Sequence, residues 1–226
     1  MKNSVPEGIL IIDKCATRPS FSLVSKLRRL SGVRRIGHAG TLDPFATGVM
    51  VMLIGSKYTR MSEQFLKDDK EYLATIHLGK ETDSYDCDGN ILFENERQPQ
   101  AWEIEAALAS FQGEIWQTPP MFSAKKVGGK KLYELARKGQ TIERKPSLVR
   151  MDTTLISYEY PYVTIRVRCS KGTYIRSIAH DLGENLGIGA HLSSLKRTKS
   201  GRFTIEQAIP QSSLDTIEWQ NFLIRL

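Results

Sequence analysis

The sequence has few cysteines, no long apolar run and little that would anchor it in a membrane. Cys15, Cys87 and Cys169 are odd in number and form no CxxC pair, so neither a disulfide framework nor a zinc site is predicted. No stretch approaches the roughly 18 apolar residues of a membrane span. Residues 1–12 lack the pattern of a secretory signal peptide. We therefore expect a protein of the reducing cytoplasm.

Motifs for common cofactors and for several enzyme classes are also missing. No G-x-x-x-x-G-K-[ST] or G-x-G-x-x-G loop occurs, so nothing points to ATP or a dinucleotide. No G-x-S-x-G elbow marks a Ser-His-Asp hydrolase, and the four histidines are scattered without metal-ligand spacing. The acidic segment 83–89 fails as a calcium loop because Asn95 would take the place of the bidentate glutamate. We interpret that segment as a solvated loop and expect no metal.

Positive charge is abundant and unevenly spread. The 226 residues carry a net charge of +7, which divides into +7 for residues 1–60, −8 for residues 61–110 and +8 for residues 111–226. Two basic segments around an acidic one indicate a positive face of the kind that binds polyanions. No repeat or domain linker is evident, so we expect one domain over residues 1–226.

Hydrophobic periodicity predicts both strands and helices. Strands are predicted at 8–13, 49–54, 70–78, 163–169, 190–197 and 202–205. Helices are predicted from Ser20 or Ser22 to Gly32, through 58–66, over 99–111, from a Thr173 cap to Gly183, and at the chain end. The alternation of both element types indicates a mixed α/β protein.

The segment 34–48 holds three glycines, one histidine and one carboxylate, with two arginines at its start. Glycines let a backbone approach a ligand closely, and Pro44 restricts the residue beside it, Asp43. Two interpretations fit these residues. The segment is either an active-site loop built around Asp43 or a surface loop in which Asp-Pro starts a turn.

Three further features have two interpretations each. Tyr72 on a predicted strand is either a core aromatic residue with its hydroxyl at the rim or a functional one. Arg176 lies near the start of a predicted helix, where the dipole disfavours a cation, so it needs a local carboxylate or phosphate partner unless it is a surface arginine. The region 119–150 contains nine Lys/Arg against two acids from residue 121 onward, with Phe122 and Tyr133 interleaved. It is either a mobile arm that grips a phosphate backbone or a solvated linker.

Six motifs follow one another along the chain. They are GILIIDK ending at Lys14, GHAGTLDP with ATG around Asp43, KEY ending at Tyr72, PPMFSAK ending at Lys125, SKGTYIRS around Arg176, and GAHL followed by Leu195. In this order they resemble the bacterial tRNA pseudouridine synthase B (TruB) family, which isomerises uridine 55 in the T-arm of tRNA. The resemblance spans nearly the whole chain.

The resemblance implies a fold and a set of site residues. The fold is α+β (mixed α/β), with a central, mainly antiparallel sheet flanked by helices and a mobile basic arm at about 119–150. Only a short tail, 211–226, closes the chain, so no C-terminal PUA domain is expected. Asp43 matches the catalytic aspartate, Arg176 the arginine that pairs with it, and Tyr72 the tyrosine that packs on the target base. The remaining matches are His38 for displaced RNA, Tyr174, Leu195 and Lys14 for substrate binding, and Lys125, Lys126, Lys130 and Lys131 for the RNA backbone.

The resemblance also implies a reaction without cofactor. Pseudouridine formation breaks N1–C1′, turns the uracil, joins C5 to C1′ and removes the C5 proton, so nothing is oxidised. The expected partner is the tRNA T-arm, with no membrane, no obligatory protein partner and a monomeric enzyme. Two alternatives remain open: a non-catalytic protein that binds or folds tRNA, and a guide-RNA-dependent synthase that needs protein partners. The sequence departs from the family at residues 15–20, where a proline and a glycine usually lead to Thr-Ser.

Overall fold

The computed structural model of the chain describes residues 5–226. Residues 1–4, which belong to the segment searched for a targeting signal, lie outside the described residues. In chain order the elements are β1 (Gly8–Lys14), α1 (Phe21–Ser31), β2 (Ile36–His38), β3 (Thr47–Ile54), α2 (Ser56–Thr59), α3 (Ser62–Lys67), β4 (Lys70–Leu78), β5 (Lys80–Thr82), β6 (Ile91–Glu94), α4 (Ala101–Leu108), β7 (Gln112–Gln117), β8 (Lys126–Val127), β9 (Lys130–Lys131), α5 (Leu132–Ala136), β10 (Ser147–Glu159), β11 (Tyr162–Cys169), α6 (Ile175–Leu186), β12 (Ala190–Ser200), β13 (Phe203–Thr204) and β14 (Ile209–Pro210).

These elements form two compact units. Unit 1 comprises residues 5–72 together with Leu195–Leu226, and unit 2 comprises Leu73–Ser194. The strands β4 and β12 contribute residues to both units. The expectation of one catalytic domain stays a prediction.

Unit 1 is built on β1, an almost wholly buried apolar strand. It pairs antiparallel with β3, in a register that runs from Gly8 opposite Ile54 to Lys14 opposite Gly48. The end of β12 joins β3 in parallel, and β14 joins β1 in parallel. The residues that pack between these strands and the short helices are Ile9, Ile11, Val49, Val51, Leu53, Tyr58, Phe65 and Phe203.

The helix α1 confirms its prediction from sequence. Leu23, Val24 and Leu27 form the buried stripe, and the helix stops at Gly32, whose positive φ of 70° ends the helical hydrogen bonding. The predicted helix through 58–66 is instead two short helices, α2 and α3. These two helices still bury Tyr58 and Phe65, so the apolar spacing was informative although the helix is interrupted.

Unit 2 contains the antiparallel pairs β7–β10 and β10–β11. The helix α4 contacts both β10 and α6, and the buried residues of α6 include the predicted stripe of Ile175, Ile178, Ala179 and Leu182. The prediction of a mixed α/β protein is therefore confirmed. Within residues 5–226, none of the helices combines the length and the apolar character required to cross a membrane.

The predicted closing helix is wrong. Residues beyond β14 form 3₁₀ turns at Gln211–Asp215 and Trp219–Phe222. The chain then returns to β1, where the N–H groups of Ile9 and Ile224 each donate to the other residue's carbonyl, at 2.9 and 2.8 Å. The backbone of Ile224 thus pairs with β1 and does not form the helical hydrogen bonds that were predicted for the chain end.

Candidate active site

Asp43 begins a tight turn between β2 and β3. The Ala46 N–H donates to the Asp43 carbonyl oxygen at 3.1 Å, and Pro44 occupies the second position of the turn. The Asp43 side chain is half-buried. The two interpretations of this segment are therefore compatible, because a turn can also be the scaffold that presents a carboxylate.

Lys14 lies at the end of β1, and its ammonium group contacts the backbone of the turn. The residue is 1% exposed, and Nζ donates to the carbonyl oxygens of Asp43 at 3.3 Å, Pro44 at 3.0 Å and Ala46 at 2.6 Å. Burial lowers the pKa of Lys14, and the Asp43 carboxylate acts in the opposite direction. These acceptors are backbone atoms, so Lys14 fixes the shape of the turn. The expected contact of Lys14 with substrate stays a prediction.

Ser20 holds the other side of the same loop. Its hydroxyl donates to the Leu42 carbonyl oxygen at 2.8 Å and accepts the Leu42 N–H at 2.9 Å. Ser20 stands at the N-cap position of α1, as predicted, but its side chain makes no capping bond. The residue before Asp43 is thereby hydrogen-bonded through both of its backbone polar groups.

Arg197 is a site residue that sequence reasoning missed. It is 1% exposed on β12, and its guanidinium donates to the Val49 carbonyl oxygen at 2.7 Å and to the Gly40 carbonyl oxygen at 3.1 Å. A Cβ on Gly48 would lie 2.2 Å from the Arg197 carbonyl oxygen, so this close strand approach requires glycine. Arg197 therefore anchors both ends of the loop that carries Asp43.

Three further predicted site residues, His38, Tyr72 and Leu195, belong to unit 1. His38 ends β2 and is half-buried, with an Nδ1 atom that has no hydrogen-bond partner within the described part of the chain. Burial and, second, the Arg197 charge lower the pKa of His38, so the imidazole is neutral at pH 7. Tyr72 is half-buried on β4, which fits both a core aromatic residue with its hydroxyl at the rim and a functional one. Leu195 is 7% exposed, and its carbonyl oxygen accepts from the Thr47 hydroxyl at 3.4 Å.

Unit 2 contains Arg176 in the first turn of α6. Arg176 is 5% exposed, so the surface-arginine interpretation is wrong. Its guanidinium donates to the carbonyl oxygens of Ser84 at 3.2 Å and Phe122 at 2.8 Å, and lies 3.4 Å from Asp86 Oδ2. Asp86 is a local carboxylate of the kind that a cation at this helix position requires. The expected pairing of Arg176 with Asp43, which belongs to the other unit, stays a prediction.

The segment around Asp86 corrects the interpretation of 83–89 as a solvated loop. Ser84 and Asp86 are 6% and 5% exposed. Asp86 Oδ1 accepts from the Ser84 hydroxyl at 2.5 Å and from the Asp88 N–H at 3.1 Å. Ser84 and Asp86 are buried beside Arg176, whereas Cys87 and Asp88 of the same segment are exposed. The Ser-x-Asp-x-Asp pattern was the available signal, and its turn-forming character gave no indication of a partner on α6.

Tyr174 stands immediately before α6 and is fixed by a second missed residue, Gln117. The Gln117 amide donates to the Tyr174 carbonyl oxygen at 3.0 Å and accepts its N–H at 2.8 Å. The prediction that Thr173 caps this helix is wrong. Tyr174 is the N-cap residue, and the Thr173 hydroxyl donates to the Ser170 carbonyl oxygen instead.

The basic arm forms regular structure rather than a linker. β8 and β9 make a hairpin whose two turn residues, Gly128 and Gly129, have φ of 57° and 80°. The helix α5 follows, with Leu132 and Leu135 buried. The mobility of the arm stays a prediction.

The arm lysines differ in their surroundings. Lys125 Nζ donates to the Ser147 hydroxyl at 2.7 Å, and Lys131 Nζ donates to the Tyr133 hydroxyl at 3.3 Å. Lys130 is exposed, and the side chain of Lys126 lies outside what the structure describes. Their expected contacts with RNA phosphates stay predictions.

A group of possible metal ligands lies on unit 2, apart from the predicted site residues. Glu81, His180 and Glu184 bring ligand atoms within 4.8 Å of one another among the described residues. His180 Nδ1 lies 3.6 Å from Glu81 Oε1, and its ring stacks on Tyr85 at 3.8 Å. The expectation of no metal stays a prediction.

Comparison with known families identifies the family of this chain. Residues 28–175 match the profile of the TruB family pseudouridylate synthase N-terminal domain, and residues 176–222 match the tRNA pseudouridylate synthase B C-terminal domain. The chain belongs to the TruB family. It is therefore an enzyme, a pseudouridylate synthase of the isomerase class.

Curated relatives within the TruB family cover nearly the whole chain. A protein of Protochlamydia amoebophila named tRNA pseudouridine synthase B is 58% identical over 211 residues, which are 93% of this chain and 80% of that protein. A protein of the same name from Chlamydia muridarum is 59% identical over 209 residues, 92% of this chain and 87% of that protein.

Solved structures of longer proteins resemble nearly the whole of this chain. One is described as a Cbf5-Nop10-Gar1 complex, with a TM-score of 0.76, 27% identity, and coverage of 97% of this chain and 60% of that chain. Another is an H/ACA RNP bound to a substrate RNA containing 2′-deoxyuridine, with a TM-score of 0.73, 26% identity and coverage of 98% and 59%. This chain thus spans about three fifths of those chains. The expected pseudouridine synthase fold is confirmed.

Proposed function

We propose that the chain converts uridine 55 in the T-loop of tRNA to pseudouridine in the cytoplasm, without cofactor, and that Asp43 is the reacting carboxylate. The observation that carries the proposal is the turn at Asp43. Lys14 holds the backbone of the turn, Arg197 and Ser20 hold the loop on either side of it, and Asp43 itself is half-buried. A positioned acid on a rigid turn suits nucleophilic or general-base chemistry.

The reaction needs one carboxylate and no redox partner. The N1–C1′ bond breaks, the uracil turns, C5 bonds to C1′, and the C5 proton leaves to a base. Asp43 serves either as the nucleophile that attacks the base or C1′, or as the base that opens an elimination route. In each route the carboxylate must be ionised when the substrate binds.

The target base must leave its stack, which costs a few kcal/mol. We assign Tyr72 to stack on the flipped base, since it is a half-buried aromatic residue on a strand. We assign His38, whose imidazole is neutral at pH 7, to contact the displaced RNA. Tyr174 and Leu195 line the uracil pocket in this proposal. Both have firmly held backbones, through Gln117 and through Thr47.

Arg176 is assigned to the pocket as a fixed cation. Asp86 and the Ser84 and Phe122 carbonyl groups hold its guanidinium in unit 2, so its position does not depend on bound RNA. In the proposal this guanidinium pairs with Asp43. The lysines of the arm at 119–150 supply affinity through phosphates and contribute little to sequence choice.

The test is release of tritium from tRNA labelled at uracil C5, followed by mass-spectrometric mapping of pseudouridine. We expect release with native-sequence tRNA and with an isolated T-arm stem-loop. A transcript that carries cytidine at position 55 is the control and should give none. Pseudouridine at another position, with none at 55, would refute the assignment.

The likeness to structures of ribonucleoprotein complexes favours a second candidate, a synthase that depends on guide RNA and protein partners. The same assay separates the two. Turnover of bare tRNA by the purified chain excludes the guide-dependent candidate, whereas turnover only after addition of guide RNA and partner proteins would establish it.

A further inference from the structure

A cleft of about 480 Å³ lies in unit 1, beside α1. The side chains that line it include Arg18, Ser22, Ser25, Lys26, Arg29 and Ser212. None of these residues takes part in the active site described above. The volume falls within the range of about 300–1,000 Å³ that small-ligand sites occupy.

One wall of the cleft is a single face of α1. Ser22, Ser25, Lys26 and Arg29 follow at spacings of three, four and seven residues from Ser22, so they point to the same side of the helix. The Ser22 hydroxyl oxygen is buried and has no hydrogen-bond partner among the described residues. Such an atom costs free energy unless a ligand or water supplies a partner.

The cleft carries a surplus of positive charge. Asp215 is the carboxylate at its edge, 2.6 Å from Lys26 and 3.3 Å from Arg29. Three cations against one carboxylate leave a net charge of +2. Arg29 remains 70% exposed, and Arg18 has no hydrogen bond or ion pair within residues 5–226. The cleft thus offers guanidinium and hydroxyl donors in excess of its acceptors.

We propose that this cleft binds a phosphate group, carried either by an RNA backbone or by a small phosphorylated molecule. Phosphate fits because it accepts hydrogen bonds from several directions and is anionic at pH 7. A phosphomonoester carries about −1.5 to −2, which matches the charge of the cleft, and each RNA backbone phosphate carries one negative charge. Guanidinium groups bind phosphate through two parallel hydrogen bonds.

Cys15 provides a local reporter because it lines the cleft and is exposed. Cys87 is also exposed but lies in unit 2, and it serves as the internal control. The rates of alkylation of both cysteines are measured by peptide mass spectrometry, with sodium pyrophosphate added and ionic strength held constant with sodium chloride. We expect at least about fivefold protection of Cys15 and none of Cys87, since an occupied cleft blocks one thiol only.

The matched variants are Arg18→Gln and Arg60→Gln, which remove one exposed guanidinium each, inside and outside the cleft. Protection of Cys15 should disappear in Arg18→Gln and persist in Arg60→Gln. For an RNA phosphate, the slope of log K for tRNA against log salt should also become shallower by about 1 in Arg18→Gln alone. For a small phosphorylated molecule, pyrophosphate protects while the tRNA slope stays unchanged.

Equal protection of both cysteines, protection by chloride alone, or identical behaviour of the two arginine variants would overturn the proposal. The RNA outcome rests on the proposed function, whereas the pyrophosphate outcome does not. A chain that makes no pseudouridine but whose Cys15 is protected by pyrophosphate would therefore refute the proposed function and support the cleft.

Discussion

Replacing Lys14 with methionine tests whether a buried ammonium holds the turn that carries Asp43. The three shortest hydrogen bonds of Nζ run to the carbonyl oxygens of Cys15 at 3.0 Å, Pro44 at 3.0 Å and Ala46 at 2.6 Å. Bonds to a charged group contribute about 1.5–3 kcal/mol each. The buried cation also loses hydration worth several kcal/mol, which methionine avoids. We therefore expect the free energy of unfolding to fall by about 2–4 kcal/mol, which an ordinary domain survives.

The kcat of Lys14→Met should fall further than that of a variant that loses the same free energy of unfolding away from the site. Misplacing a catalytic group by about 1 Å costs on the order of 100-fold, so we expect kcat to fall about 10- to 100-fold. The control is Leu108→Ala in α4, where a 4% exposed leucine is lost at a cost of about 2–5 kcal/mol. Urea unfolding and tritium release are measured for both variants at 25 °C. Equal kcat values in the two variants would refute the reasoning, because the turn would then not depend on Lys14.

Three further predictions concern other groups that position the site. Asp86→Asn should lower kcat at least about tenfold and cost about 3 kcal/mol of stability, because Arg176 loses its carboxylate, while exposed Asp88→Asn should change neither in the same assays. The pKa of His38 is lowered by burial from its usual 6.5, so the unfolded chain binds more protons than the folded one below that pH. The free energy of unfolding should therefore fall as pH falls from about 6.5 towards the folded-state pKa, and a pH series of urea melts should show a flatter slope in His38→Gln; an unchanged slope would count against this. Gly48→Ala should lose about 2–4 kcal/mol in urea melts because φ is +102° and the new Cβ would meet a backbone oxygen at 2.2 Å; a change below about 0.5 kcal/mol would contradict it.

Elements with strong local patterns could be predicted from the sequence. β4 spans Lys70–Leu78 as expected, because apolar residues alternate along it and Ala74, Ile76 and Leu78 are buried. β1 could be predicted from its short apolar run, and α1 from the helical spacing of its apolar residues. β10, with 13 residues, is the longest strand in residues 5–226, yet no strand is predicted there from the sequence. Val149, Met151 and Leu155 alternate with polar residues along it, but the buried Thr153 interrupts the apolar series, and its hydroxyl bonds to distant backbone groups.

The site could be predicted only for the residues that stand in motifs. Asp43, Tyr72 and Arg176 came from such motifs, and their residue types suit the chemistry. Their partners could not be found in the same way. Arg197 bonds to a carbonyl 157 residues away, and Arg176 bonds to a carbonyl 92 residues away. A backbone acceptor leaves no trace in the sequence, because every residue type carries the same carbonyl group.

The central claim is that the Asp43 carboxylate reacts. Asp43→Asn keeps the size of the side chain and the backbone bonds of the turn, so its circular dichroism and its affinity for tRNA should match those of the unaltered chain. We predict that tritium release from C5-labelled tRNA falls at least about 1,000-fold under single-turnover conditions, because an amide neither attacks nor accepts the proton. Release at the unaltered rate by a folded, tRNA-bound Asp43→Asn protein would contradict the account.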